Sequence, residues 1–297
     1  MPITGSLPVI PTPFFEHRID YSSLERLFAH IFPELDGYTL CGSTGEAASL
    51  SLSERIELAQ FAVRQTPPGK QVLVGLGHTN LAEMITLVRR LAELAVAGAL
   101  VPAPYYFPND FPMVLEFFRE LSRWSDVPLI FYDNPVYTKT WLRPEELIAL
   151  AEACPQVKGV KLTDHALSKI PILRQSGIPV FSGDDVVAFR SLLLGVAGSM
   201  IIAPSVFPAA YQEVVRLVNA KDEAHALRLF AQQILPFIHL FGPCDEVPVT
   251  KAVFKALGIF RSDELRLPLL PCSAQRLKEV MVAYELGIDA TSNAGIV

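Results

Sequence analysis

The chain is 297 residues long, 51% hydrophobic and 19% charged, which predicts a sizeable buried core and excludes a disordered polymer. Its net charge of −6 argues against a nucleic-acid or anionic-membrane partner, since either selects a basic surface. A small anionic substrate fits, because one local lysine can hold a carboxylate in an acidic protein.

Residues 1–15 lack the basic flank and long apolar core of a signal peptide. Short apolar runs then alternate with amphipathic stretches at a spacing of roughly 25 residues, the rhythm of βα units. The runs predict strands at Ser6–Ile10, Gly37–Cys41, Gln71–Leu76, Ala99–Ala103, Pro128–Tyr132, Val157–Leu162, Pro179–Ser182 and Ser199–Ile202. Between them, Ser51 and Glu54 read as a capping box opening a helix. Leu81, Met84, Ile85, Val88, Leu91 and Ala95 fall on one helical face. From about Lys221 onward the pattern is helical. Leu227, Phe230, Ile234 and Ile238 form an apolar stripe there, which Pro236 should kink, and the chain beyond Gly287 is expected to fray.

Strands that alternate with helices pair in parallel, in an open doubly wound sheet or a closed barrel. An open sheet usually carries a glycine-rich phosphate loop after its first strand, and residues 11–15 contain no glycine. The expectation is an α/β fold: a (β/α)8 TIM barrel over residues 1–220, with a helical segment at 221–297 packed on it.

In such a barrel reactive groups sit at the C-terminal ends of strands. On the sixth strand Val157, Gly159 and Lys161 share one face, and Gly159 should leave room there. An inward Lys161 loses solvation, which favours the neutral amine that attacks a ketone. The alternative is a lysine that snorkels outward or pairs with Asp185. Tyr132, at the end of the fifth strand, has the parity of Ile130 and is either a proton-transferring phenol or packing at the barrel mouth. Gly42 and Gly45 flank Ser43 and Thr44 in a tight turn that suits a carboxylate, or is simply a turn. Pro104, Tyr105 and Tyr106 form a stiff segment that presents an aromatic hydroxyl. Ser182–Asp185, with Gly183, and Gly198–Ile201 are tight enough for backbone to line a pocket.

The six histidines show no metal-ligand spacing; His78 and His165 follow strands and either touch substrate or lie on the surface. There is no P-loop or dinucleotide fingerprint, so no metal or nucleotide cofactor is expected. Cys41, Cys154, Cys244 and Cys272 are scattered without CxxC pairing, as in a cytoplasmic protein with reduced thiols.

These motifs occur in one order: TPF at 12–14, GSTGE at 42–46, PYY at 104–106, YDNP at 132–135, GVK at 159–161, SGDD at 182–185 and GVAGS at 195–199. Taken together they resemble the dihydrodipicolinate synthase / N-acetylneuraminate lyase family of Schiff-base-forming lyases, over nearly the whole chain. The resemblance implies that Lys161 forms an imine with pyruvate and that Tyr132 relays protons. It also implies that Ser43 and Thr44 hold the 2-oxo acid's carboxylate, that Thr44 links Tyr132 to Tyr106, and that the backbone carbonyl of Met200 faces pyruvate. In dihydrodipicolinate synthases the tyrosine matching Tyr106 comes from a neighbouring subunit, and family members are usually homotetramers.

Two departures bear on substrate. Tyr137 stands where dihydrodipicolinate synthases carry an arginine that binds the aldehyde's carboxylate, and Val186 stands where sialic acid lyases carry an acid. The expected activity is a class I aldolase or lyase of 2-oxo-3-deoxy sugar acids, joining or releasing a small-molecule 2-oxo acid and an aldehyde. The alternatives are a dihydrodipicolinate synthase-like condensation, a hydratase-aldolase on an aromatic pyruvate adduct with Phe107, Phe111 and Tyr137 as an apolar rim, and a non-catalytic 2-oxo acid binder.

Overall fold

The computed structural model describes residues 2–242 and 245–293. Eight parallel strands follow one another around a barrel: β1 Gly5–Ser6, β2 Gly37–Leu40, β3 Gln71–Gly75, β4 Gly98–Pro102, β5 Leu129–Asp133, β6 Val157–Leu162, β7 Val180–Ser182 and β8 Gly198–Ser199. Each pairs with its sequence neighbour, and β1 pairs with β8. Closure between β1 and β2 runs through extended chain just past β1. There Thr39 N donates to the Pro8 carbonyl and Ile10 N to the Thr39 carbonyl, at 2.8 and 3.1 Å.

The first and eighth strands are shorter than expected. Residues 7, 9 and 10 still bond to the segments on either side, but Pro8 has no N–H to donate and interrupts the regular ladder. A two-stranded antiparallel hairpin, Phe14–Phe15 with Arg18–Ile19, follows β1; it has no alternation for sequence reading to detect.

Helices surround the strands. The expected capping box forms: Ser51 N donates to the Glu54 carboxylate at 2.9 Å, and Glu54 N donates back to the Ser51 hydroxyl. The helix Leu81–Ala92 buries Met84, Leu87, Val88 and Leu91 against the barrel, each contributing about 2 kcal/mol by removal from water. Ala95 lies beyond its end and is exposed.

Beyond residue 220, the helix at Glu223–Leu229 passes into a π-turn over Phe230–Ile234 and then into Leu235–Ile238. Pro236 accounts for this, since its ring clashes with the carbonyl four residues earlier and the widened turn relieves the clash. The last helix, Ala274–Asn293, runs past the expected end. A Cβ at Gly287 would lie 2.4 Å from the Gln233 carbonyl, so glycine lets this helix press onto the π-turn. No helix among the described residues is long and apolar enough to cross a membrane.

Candidate active site

Strand register brings Lys161 beside Tyr132. The β5–β6 ladder slips once, so that Leu129 pairs with Val157 and Ile130 with Gly159, pushing Lys158 outward; Tyr132 then pairs with Lys161. Lys161 is 3% exposed, with its Nζ 4.2 Å from the centroid of the Tyr132 ring. Among the described residues it forms no ion pair. The Asp185 carboxylate instead accepts from Ile202 N and Ala203 N at 3.0 and 2.7 Å, and burial pushes its pKa up to about 7 against those two N–H groups.

The room expected above Gly159 is filled. A Cβ there would touch the Phe181 and Ile130 side chains, so the glycine admits core packing rather than substrate. Space for the lysine comes from Gly183, where a Cβ would lie 2.9 Å from Lys161 Cε and 2.6 Å from the Leu162 carbonyl oxygen.

Tyr132, though not Lys161 itself, lines a cavity of about 480 Å³, together with the Cys41–Ser43 and Glu46–Ser49 turns, Tyr105, Asn134 and Tyr137, and Glu246, Pro268 and Leu269. Cys41 and Glu46 both take left-handed backbone, at φ +52° and +55°, a strained pair that brackets Ser43 and Thr44. Ser43 reaches the cavity exposed, while Thr44 is buried behind it. Met200 is fully buried, and neither it nor Gly183 is part of the lining.

The Tyr132 phenol accepts from Asn134 Nδ2 at 2.8 Å, and among the described residues no hydrogen bond joins it to Thr44. Tyr106 is 83% exposed, at φ +89°, its ring edge-on to Phe107 and away from the cavity. Tyr105 lines the cavity in its place, and of the expected apolar rim only Tyr137 does so. His78 and His165 lie outside, next to Glu83 and Asp184.

Two groups at this mouth escaped sequence reading. Lys251, fully buried, is paired with Glu46 and donates to the Glu264 carbonyl at 2.9 Å; burial lowers its pKa to about 8, against the pull of Glu46. The signal was a lone lysine inside the apolar run 247–254. Glu246 faces the cavity and accepts from the Tyr137 hydroxyl at 3.4 Å. Burial raises its pKa, and the Lys161 ammonium opposes that rise. No periodic signal marks it, because it starts the helix Glu246–Ala256.

Comparison with known proteins points to one family. The Dihydrodipicolinate synthetase family profile matches residues 2–286. The 4-hydroxy-tetrahydrodipicolinate synthase of Nitratidesulfovibrio vulgaris (strain DP4) is 32% identical over 291 residues, covering 95% of this chain and 99% of the relative. That of Aquifex aeolicus (strain VF5) is 29% identical over 289 residues, covering 95% and 98%. Among solved structures, dihydrodipicolinate synthase from Aquifex aeolicus superposes with TM-score 0.89 at 27% identity, covering 96% of this chain and 99% of that one. The 4-hydroxy-tetrahydrodipicolinate synthase of Methylacidiphilum fumariolicum SolV gives 0.90 at 25%, covering 98% of each. From the ordered motifs, the eight-stranded barrel and a family match that spans almost its full length, the chain belongs to the dihydrodipicolinate synthetase family.

Proposed function

We propose that this enzyme is a class I aldolase or lyase that joins pyruvate to an aldehyde, or cleaves the product, a 2-oxo-3-deoxy sugar acid, through an imine on Lys161. The observation that carries the reading is the buried Lys161 amine stacked on the Tyr132 ring beside a cavity. Neutral Lys161 adds to the ketone carbon of pyruvate, and the carbinolamine loses water as Tyr132 supplies the proton. Loss of a C3 proton gives the enamine. Its C3 then bonds to the aldehyde carbon, the new alkoxide takes a proton, and water hydrolyses the imine to free the amine. Ser43, at the cavity, and Thr44 behind it hold the pyruvate carboxylate, while Gly183 and Met200, outside the cavity lining, meet the bound pyruvate through their backbones beside Lys161.

The curated relatives' names support a second reading, a condensation of the kind those synthases perform. It uses the same imine and differs only in the aldehyde. Tyr137, standing in place of the carboxylate-binding arginine, favours the first. The exposed Tyr106 and Phe107 support assembly into a tetramer in which a neighbouring subunit supplies the Tyr106 hydroxyl. The free thiols of Cys41, Cys154 and Cys272 support a cytoplasmic location; Cys244 lies outside the described residues.

Borohydride reduction in the presence of pyruvate tests the imine. A stable mass increase on the peptide carrying Lys161 is expected, and a folded, pyruvate-saturated sample with Lys161 unmodified would overturn the reading.

A further inference from the structure

Among the described residues, the cavity beside Lys161 is lined by no Arg, Lys or His. Its two carboxylates differ in kind. Glu46 is committed to Lys251 and to the Arg266 backbone N–H. Glu246 forms no ion pair among the described residues and meets the Tyr137 hydroxyl. The acids next to it are occupied elsewhere: Asp245 by Arg276 at 2.9 Å, and Asp184 by His165 at 3.3 Å and by the N–H groups of Val186 and Val187. The nearby cation is Lys161, which in the proposed reaction is bonded to pyruvate and not offered to the acceptor.

We propose that Glu246, steadied by Tyr137, selects the aldehyde: it takes hydrogen bonds from an acceptor's hydroxyl groups and turns away an acceptor that bears a second carboxylate. This rests on the reading of the site as a pyruvate aldolase and names the residue that sets its acceptor class. A carboxylate oxygen accepts hydroxyl protons strongly in a partly dry site. The same oxygen leaves an incoming carboxylate without a partner, and like charges there repel. Sites built to bond a hydroxyl reject analogues that cannot fill that role.

The test compares two pairs, each setting a hydroxylated member against one that bears an extra carboxylate. For catalysis, pyruvate is paired with glyceraldehyde or with succinic semialdehyde. For binding, 2-oxo-3-deoxygluconate and 2-oxoglutarate are titrated by calorimetry. The wild type should prefer the hydroxylated member of each pair. Glu246→Gln should shift the ratio of kcat/KM values toward succinic semialdehyde at least tenfold, through KM for the aldehyde. Tyr137→Phe, at an exposed ring whose truncation spares the core, should shift it the same way by less. A wild type that prefers the carboxylated members, or a ratio that moves less than twofold in Glu246→Gln, overturns the proposal. The binding pair separates this from the imine: a preference that follows Glu246 without borohydride trapping at Lys161 keeps the selector and discards the imine, and trapping without the preference does the reverse.

Discussion

Arg266 grips Glu54 with two parallel hydrogen bonds, Nη1 to Oε2 at 2.8 Å and Nη2 to Oε1 at 2.5 Å, and so ties the cavity's outer wall to the start of the helix Leu52–Gln65. The guanidinium also donates to the Ser49 carbonyl and lies 4.4 Å over the Phe14 ring. Pro268 and Leu269, which wall the cavity, follow directly. The Arg266 hydrogen bonds, chiefly, hold the Glu54 carboxyl down to about 2 against the effect of burial. A depressed carboxylate contributes stability above its unfolded value of 4.5 and loses it as the pH falls toward about 2. The pair is partly exposed, so Glu54→Gln should cost only about 1 kcal/mol at pH 7. Urea unfolding at pH 7 and pH 3 should show that cost shrinking in acid. An equal cost at both pH values would assign it to the lost cap instead.

A buried ion pair behaves differently. Lys251 and Glu46 are both essentially without solvent contact, so Lys251→Met strands a carboxylate in the core and should destabilise by about 3–5 kcal/mol. The double variant Lys251→Met/Glu46→Gln should recover most of that in thermal unfolding. Lys251, lowered to about 8 by burial against Glu46, is also an amine that could be neutral enough for imine chemistry. It has no exposed surface and is held by Glu46, whereas Lys161 is 3% exposed and forms no ion pair among the described residues. Peptide mapping after borohydride trapping should therefore place the adduct on 161 and leave 251 unlabelled.

The sequence carried the barrel because the βα rhythm and strand parity are properties of local chain, and Tyr132 and Lys161 sit one strand apart at matching height. What it did not carry depends on distant segments. Glu46 lies in a motif that reads as a turn, and its charge makes sense only once Lys251 and Arg266 arrive from more than 200 residues away. Glu246 is invisible for the same reason, being defined by Tyr137 across the mouth. Gly159 was misread: an empty position on an inner face predicts space only if neighbours do not fill it, and Phe181 and Ile130 do.

Gly183 is the position where a single methyl should reach the amine. A Cβ there would press on the Leu162 carbonyl and the Thr163 hydroxyl, both at 2.6 Å, as well as on Lys161 Cε. The backbone contact cannot be relieved by a rotamer change, so the β6 and β7 ends must part. Gly183→Ala should cut kcat/KM about 100-fold, since small displacements of a positioned group cost on that order. Its melting temperature should fall by about 5 °C. Pyruvate trapping should slow with it; an unchanged trapping rate would show that the lysine does not feel this strand end.

Tyr132→Phe separates the ring from its hydroxyl. The ring lies under the Lys161 ammonium, and phenylalanine keeps that contact. The oxygen accepts from Asn134 and leaves its own proton to give, which is what loss of water from a carbinolamine requires. Removing it should slow turnover by about 100-fold or more, the usual worth of a positioned acid or base. The equilibrium extent of pyruvate trapping should fall far less, because the amine and its platform remain. Steady-state kinetics beside borohydride trapping at saturating pyruvate reads both. Parallel losses in the two would mean that Tyr132 only packs, and the proton would then have to come from elsewhere in the cavity.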